Sequence, residues 1–252
     1  MFEDTETGVR AEGMAGAFAA VADDLSAVDF NPAGLHHLRT RSFVGVFKLL
    51  YGGAGTGLHT GSACIGLPLG RLGAVAVRMQ ETGFELQSQR SFKLAHGLVL
   101  ADGLALGTGV SVYNLHQRDY GNGYAVGFDV GMWGRVYRYW TVGCYIHNLN
   151  MPSIGSSDLP RLLSFGLGYS PKPGIQSAVD ISKEPGKPTR LSVGQEFRIV
   201  QDHLTVRAGV QTEPVRMCFG LRAGTERLHL DYALVSHPVL PFTHGFGVAF
   251  DF

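Results

Sequence analysis

The chain has 252 residues, and 21 lysines and arginines balance 21 aspartates and glutamates. Charged residues make up only 17% of the sequence, against about 25% in soluble domains, and the 35 glycines are roughly twice the usual share. A neutral chain without a basic cluster argues against nucleic-acid binding, and low charge with 45% hydrophobic residues argues against disorder. The composition leaves a soluble all-β protein or a membrane β-barrel.

The first residues, Met1–Glu6, have neither a basic nor an apolar run, so the sequence shows no secretory signal as given. If the protein is exported, the signal has been trimmed or the start is misplaced. The uncharged stretches 49–70 and 232–250 are rich in glycine, proline or histidine, and we expect no membrane-spanning helix there. The three widely spaced cysteines predict no disulfide framework.

The N-terminal stretch differs from the rest of the chain. Residues 11–24 are alanine-rich, and Met14, Phe18 and Val21 follow each other at three- and four-residue spacing. This spacing predicts a short helix with one apolar side. The sequence Asn31–Gly34 then predicts a turn, because proline fixes its own φ and restricts the residue before it.

From residue 41 onward the sequence alternates with a period of two. Val126, Phe128 and Val130, for example, alternate with Gly127 and Asp129. One face is therefore large and apolar, whereas the other is small or charged. A soluble sandwich would carry lysine, glutamate and threonine on its second face. Glycine and alanine there favour a barrel with lipid outside and a roomy interior.

Turn signals divide residues 41–252 into about fourteen strands. They lie near 41–51, 60–69, 72–82, 87–100, 103–116, 122–134, 137–148, 161–170, 174–182, 189–199, 202–211, 214–222, 226–236 and 242–252. Each is long enough to cross a bilayer as a tilted strand, which takes about 9–11 residues.

The connections between these strands alternate in length. Those near 70, 102, 135, 172, 201 and 224 are tight and those near 55, 118, 155, 185 and 239 are longer, although those near 84 and 213 break the trend. Short turns at one end and long loops at the other are typical of outer-membrane barrels. The alternation predicts an even number of strands with both chain ends on the short-turn side. Twelve or sixteen strands remain open alternatives.

The chain ends with alternating aromatic residues, in the sequence Phe246-Gly247-Val248-Ala249-Phe250-Asp251-Phe252. This ending resembles the terminal strand that the outer-membrane barrel assembly machinery reads. An ordinary last strand is the alternative interpretation. Phe250 and Phe252 are the residues that would carry the assembly signal.

A second resemblance lies in residues 8–35. The run Gly13-Met14-Ala15-Gly16-Ala17-Phe18, then Ala22-Asp23-Asp24, then Asn31-Pro32-Ala33 resembles the entry motif of the FadL-type superfamily of outer-membrane transport proteins, which includes PorV-like proteins. Ala15 stands where the family pattern often has glycine. The chain is shorter than a typical member and therefore resembles a compact one with short loops.

The resemblance implies that residues 1–40 form a hatch inside a barrel made by residues 41–252. It assigns the gate to hatch residues, which are Gly13, Gly16, Asp23, Asp24, Asn31, Pro32 and Ala33. It also implies an apolar ligand pocket lined by Met14, Phe18 and Val21. Movement of the hatch, with Asn31-Pro32-Ala33 near its hinge, would open a path.

Acidic residues of this hatch are candidates for ion pairs with inward arginines of the barrel, because interior charges need partners. The acids are Asp23, Asp24 and Asp29, and the candidate partners are Arg78, Arg207, Arg216 and Arg222. Charges that simply face lumen water are the alternative.

Sites for chemistry are scarce. The adjacent pair His36-His37 cannot share one strand face and is more often solvated than metal-binding, so we predict no metal site. The glycine-rich run 52–57 lacks the Gly-Lys-Ser/Thr ending of a phosphate loop, and no Gly-x-Ser-x-Gly elbow occurs. We therefore expect no enzyme, no catalytic residue and no cofactor, although a lipase is not excluded by residue types alone.

Three functions follow from these features. The first is passage of hydrophobic small molecules, long-chain fatty acids above all, across the bacterial outer membrane, where outer-membrane lipids and the barrel assembly machinery are further partners. The second is a PorV-like barrel that docks secreted proteins. The third is a soluble all-β module, motivated by the missing signal.

Overall fold

Fourteen antiparallel strands close into one barrel in the described part of the chain, residues 7–52, 57–84, 87–118, 121–200 and 203–252 of a computed structural model. Each strand pairs with its neighbours along the chain, and the first and last strands pair with each other. The barrel strands are β1 (Ser42–Leu49), β2 (His59–Pro68), β3 (Ala74–Phe84), β4 (Gln87–Ala101), β5 (Leu104–Gln117), β6 (Gly121–Tyr137), β7 (Trp140–His147), β10 (Leu162–Lys172), β11 (Ile175–Lys183), β12 (Arg190–Val200), β13 (Leu204–Gln211), β14 (Arg216–Gly224), β15 (Leu228–Val235) and β16 (Thr243–Asp251). A separate hairpin of β8 (Ser153–Ile154) and β9 (Ser157–Asp158) lies in the connection after β7. The prediction of an all-β barrel with about fourteen strands is confirmed.

The connections have the predicted asymmetry. Tight turns at 102–103, 138–139 and 173–174 lie at one end of the barrel, and the long connections 148–161 and 236–242 lie at the other. The tight turn predicted near 135 lies at 138–139 because β6 continues to Tyr137. Ser42 pairs with Asp251, so both ends of the barrel wall lie at the short-turn end, as predicted.

The two faces of the wall differ as the alternation predicts. Val110 and Phe128 pair across β5 and β6 and both point outward, with 40% and 47% of their surfaces exposed. The next pair, Ser111 and Gly127, points into the lumen, and Ser111 is buried. Large apolar side chains continue around the outside of the barrel. Such an exterior belongs to a barrel that spans a membrane rather than to a soluble sandwich, which buries its apolar face.

Within the described residues, no helix is long and apolar enough to cross a membrane.

The prediction of a helix over residues 11–24 is wrong beyond its first residues. The structure has short helices at α1 (Val9–Gly13) and α2 (Ala27–Phe30) and a 3-10 helix over Pro32–His37. Helix α1 ends because Ala15 and Gly16 adopt positive φ angles of 55° and 75°. Beyond this point barrel side chains, instead of a helix, bind the backbone polar groups.

Some predicted features fall outside the described residues. These are positions 1–6 of the predicted hatch, positions 53–56 of the glycine-rich loop and the predicted strand start at 202. The predicted turn at Asn31–Gly34 takes the form of a helix start. Asn31 is extended, its side chain accepts the N–H of Ala33 at 3.2 Å, and Pro32 occupies the first position of the 3-10 helix.

Candidate functional site

Residues 7–38, called the N-terminal segment from here on, lie inside the ring of strands. Helix α1 contacts β13 to β16, whereas the 3-10 helix contacts β3 to β6 across the barrel. Because these strands stand on opposite sides of a closed barrel, the segment spans the lumen. Phe18, Ala22 and Leu35 are among its fully buried side chains.

Glycines on the inner face of the barrel leave the space that the backbone of this segment occupies. At six of them an added Cβ would lie less than 3.0 Å from a backbone atom of the segment: Gly97, Gly107, Gly143, Gly166, Gly194 and Gly209. At Gly143, for example, the Cβ would lie 2.0 Å from the carbonyl oxygen of Ala19. We call these six residues the glycine wall. They show where much of the excess glycine of the sequence is used, since any larger residue would overlap the segment.

Polar side chains of the barrel hold residues 18–20 in place. The carboxylate of Asp180 on β11 accepts the N–H groups of Phe18 and Ala19 at 2.9 and 2.8 Å. The carbonyl oxygen of Ala20 accepts the indole N–H of Trp133 at 2.9 Å and the hydroxyl of Thr141 at 3.0 Å. These bonds satisfy backbone groups that a buried, non-helical stretch would otherwise leave unpaired.

Asn31 links its own part of the segment both to the stretch around Ala19 and to the barrel wall. It is fully buried, and its side-chain amide donates to the carbonyl oxygens of Ala19 at 2.8 Å and Met132 at 2.9 Å. Next to it, Pro32 and Ala33 lie against Gly107 of the glycine wall. The three residues that the sequence assigned to the hinge are therefore a fixed point of the segment.

Ion pairs form a second set of anchors, and Arg10 is their centre. Its guanidinium donates to Glu196 of β12 at 2.8 Å and to Asp24 at 3.0 Å, and it also binds Asp23. Burial alone would raise the pKa of Asp24, but the positive charges of Arg10 and Arg222 hold it below its usual value. The sequence missed Arg10, because its partners are 13 to 186 residues away.

The ion pairs predicted for the acidic residues of the hatch are found in part. Asp29 binds Arg78, as the sequence suggested, and Asp24 lies 4.0 Å from Arg222. Arg207 instead binds Glu196 and Asp231, at 2.6 Å each, within the barrel wall. These charges are therefore paired inside the lumen rather than only facing water.

Met14, Phe18 and Val21, predicted to contact ligand, are buried in the packed core of the segment. The ring of Phe18 meets that of Phe30 edge to face at 5.5 Å. None of the three lines either of the two cavities described below. Their role in ligand binding stays a prediction that requires the segment to move.

In the described part of the chain, cavities border the segment toward each end of the barrel. The long-loop cavity, of about 70 Å³, is lined by Gly16, Lys48 and Leu50 among others. The short-turn cavity is larger, about 270 Å³, and Asp23 and Asp24 lie in its wall. Gly13, by contrast, packs against Gly220 of β14, with the added Cβ at 2.9 Å from its Cα.

A buried polar cluster that the sequence did not single out lies beside the 148–161 connection. Asp129 binds Lys93, the hydroxyl of Tyr145 at 3.1 Å and the backbone N–H of Asn148 at 2.9 Å. The side-chain amide of Asn148 donates to the carbonyl oxygen of Pro160 at 2.8 Å. The cluster fastens the long connection to the wall. Its only sequence signal was charged residues at inward positions.

The rings of His36 and His37 lie side by side, tilted by 43° with centroids 3.8 Å apart, and both contact Trp133. Each donates its Nδ1–H to a backbone carbonyl, of Ala33 at 2.7 Å and Gly34 at 3.2 Å. Burial and the neighbouring His37 lower the pKa of His36 from 6.5 to about 4. Across the described residues, no group of three or more His, Cys, Asp or Glu side chains has the geometry to hold a metal ion.

The last strand closes the barrel by pairing with the first strand. Phe250 pairs with Phe43 of β1 and points outward, and its ring stacks on that of Phe252 at 5.6 Å. The N–H of Phe252 donates to the carbonyl oxygen of Arg41 at 2.8 Å.

Solved structures with this architecture exist. A FadL homologue from Pseudomonas aeruginosa is 12% identical and matches over 98% of each chain with a TM-score of 0.70. The toluene transporter TodX of P. putida is 12% identical and matches over 99% of each chain with a TM-score of 0.70. This chain has the FadL-type fold. The monoaromatic hydrocarbon channel CymD is also 12% identical to this chain. The match covers 100% of this chain and 99% of the CymD chain, with a TM-score of 0.71.

Sequence comparisons add no further relative. No protein-family model matches the chain, and a search of curated proteins finds no match.

Proposed function

We propose that the protein lets hydrophobic small molecules, long-chain fatty acids among them, cross the bacterial outer membrane. The observation that carries this proposal is a closed barrel with an apolar exterior whose lumen is filled by the N-terminal segment, with a cavity toward each end. A filled lumen excludes bulk water, and apolar molecules gain nothing from a water-filled pore. The likeness in fold to a toluene transporter and a monoaromatic hydrocarbon channel supports the same class of cargo.

In this proposal the N-terminal segment is a hatch. Asn31-Pro32-Ala33 is the point that stays fixed while other groups of the hatch move, since Asn31 is bound to both the segment and the wall. The short turns face the periplasm and the long connections face outward, as in bacterial barrels generally. The strand ending in Phe250 and Phe252 is the part that the assembly machinery reads.

Uptake by cells tests this function. Cells with and without the gene are given labelled hexadecanoate and labelled toluene, and the purified protein is analysed for bound molecules by mass spectrometry. We expect faster uptake of at least one compound in cells with the gene. Equal uptake of both, together with no bound hydrophobic molecule, would contradict the proposal.

Protein docking is the second candidate, and one observation favours it. The connection 236–242 carries exposed apolar side chains at the long-loop rim, with Val239 exposed over 87% of its surface. Exposed apolar residues at a rim suit contact with another protein. A pull-down from surface-labelled membranes tests this function, and recovery of the barrel without any secreted protein would count against it.

A further inference from the structure

The two cavities lie on the same side of the N-terminal segment. Both are bordered by the strands β1, β15 and β16, which we call the seam, and by β14. The long-loop cavity also reaches Arg190 of β12 and Gln211 of β13. The long-loop cavity is lined by Lys48 of β1 and by Leu50, which follows this strand, and the short-turn cavity by Ser42, Val44 and Val46 of β1. The two cavities are therefore successive spaces along one wall of the barrel.

Only a thin layer separates these spaces. Val9 and Arg10 of α1 line the short-turn cavity, and Glu12 of the same helix lines the long-loop cavity. Helix α1 has five residues, so its length is about 7 Å at the usual rise per residue. The layer consists of an apolar contact of Val9 with Val46 and Ala233, and of an ion pair between Glu12 and Lys48.

This layer is made by side chains, unlike the contacts at the glycine wall. At Gly245 and Gly247 of β16 the nearest atoms to an added Cβ are side-chain atoms of Glu12 and Val9, at 3.0 and 3.3 Å. At Gly143 and the rest of the glycine wall, backbone atoms of the segment fill that place. Side chains change rotamer in picoseconds to nanoseconds where space allows, whereas moving the segment's backbone breaks its hydrogen bonds to the wall.

The short-turn cavity also indicates the chemistry of a cargo. Val9, Leu25 and Val44 form an apolar part of its wall, and a charged part contains arginines and aspartates of both the segment and the barrel. Its volume of about 270 Å³ is close to the lower end of ligand pockets, about 300–1,000 Å³. A molecule with an apolar tail and a polar head satisfies both parts of this wall, since an apolar molecule alone would leave charges facing it.

We propose that amphiphilic cargo passes along the seam, and that Val9, Val46 and the Glu12–Lys48 ion pair are its gate. The inference rests on the proposed function and makes it narrower. Only these side chains move, while α1 stays anchored through Arg10 and residues 14–21 stay on the glycine wall. The route lies along β1, β15 and β16, and the rest of the lumen stays closed.

Four single substitutions test the gate. Val9→Ala removes two methyl groups from the layer, and Val28→Ala is the matched control because it removes the same groups from the buried core of the segment. Gly247→Leu fills the space beside Val9, and Gly61→Leu is its control, because no atom lies within 4 Å of an added Cβ there. Heat-modifiable mobility in gels confirms for each variant that the barrel has folded.

Two readouts separate the gate from the proposed function. Ion conductance in planar bilayers needs no cargo, and uptake of labelled hexadecanoate by cells needs the transport function. We expect Val9→Ala to raise conductance and uptake several-fold over both the unchanged protein and Val28→Ala. We expect Gly247→Leu to lower uptake relative to Gly61→Leu.

The possible results lead to different conclusions. If Val9→Ala equals Val28→Ala in both readouts while the unchanged protein does take up hexadecanoate, the seam route is wrong and the proposed function stands. If the unchanged protein takes up no hexadecanoate but Val9→Ala conducts more than Val28→Ala, the gate stands and the cargo is wrong. If the unchanged protein takes up no hexadecanoate and Val9→Ala conducts no more than Val28→Ala, both the seam route and hexadecanoate as its cargo are wrong, and toluene uptake then decides the proposed function.

Discussion

The N-terminal segment meets the barrel in two ways, and the two sides of the contact differ in the atoms that touch. Against β4 to β13 its backbone lies on the glycine wall and is held by Asp180, Trp133 and Thr141. Against the seam, side chains of Val9 and Glu12 fill the space. One side is therefore fixed by shape and hydrogen bonds, whereas the other is closed by groups that can rotate.

The largest expected effect comes from removing Arg10, which supports the fixed side. Arg10→Leu leaves Glu196 and Asp24 without their shared partner, and losing one member of a buried pair costs about 3–5 kcal/mol. Arg90→Leu is the control, because its pair with Glu81 is exposed and such pairs contribute about 0–1 kcal/mol.

Tryptophan fluorescence during urea unfolding measures both variants. Trp133 binds the segment, and in a Trp140→Phe background it is the remaining tryptophan and reports release of the segment. Equal midpoints for Arg10→Leu and Arg90→Leu would contradict the role of Arg10 as an anchor.

The next effect is a steric one at the glycine wall. In Gly143→Ala the new Cβ would lie 2.0 Å from the carbonyl oxygen of Ala19, so the segment must shift, and overpacking of this kind costs about 1–3 kcal/mol. Gly61→Ala faces open space and should behave like the unchanged protein. Limited proteolysis of the segment compares the two, and equal cleavage would show that the wall does not hold the segment.

A charge exchange sharpens the comparison on the seam side. Glu12→Lys places a second cation beside Lys48, and repulsion in a buried site should open the layer and raise conductance in planar bilayers. The double variant Glu12→Lys/Lys48→Glu restores an ion pair in reversed order and should restore the low conductance. Failure of the second change to reverse the first would mean that the pair does not close the gate.

The smallest expected effect is a pH dependence near the short-turn end. Burial lowers the pKa of His36 from 6.5 to about 4, so the folded protein binds this proton less readily than the unfolded chain. The contribution to stability is complete above pH 6.5 and is lost progressively as the pH falls toward about 4. The unfolding midpoint of His36→Gln should fall less over this range, and that of His116→Gln, an exposed control, should fall as in the unchanged protein.

Sequence patterns predicted the wall of the barrel well, because each strand carries its own alternation. Val110 and Phe128 show the outward face, and Gly127 and Asp129 the inward face, without knowledge of any partner strand. Even the two ends of the barrel wall were placed correctly, since the lengths of the connections set the parity of the strands. Local hydrophobic patterning decides these features.

The path of the N-terminal segment was predicted less well, because distant residues decide it. The spacing of Met14, Phe18 and Val21 favours a helix, but Asp180 binds the N–H groups of Phe18 and Ala19 from 162 and 161 residues away. Tertiary contacts override helix propensity in such a case. The inward glycines were read as providing room, although their contact with the backbone of the segment was visible only in the structure.

The most direct test of the difference between the two sides is a structure of the protein with hexadecanoate bound. We predict ligand in the short-turn cavity beside Val44 and Val46, with the side chains of Val9 and Glu12 rotated and residues 14–21 unmoved on the glycine wall. Ligand bound between residues 14–21 and the glycine wall, with the side chains of Val9 and Glu12 in their present positions, would contradict the account.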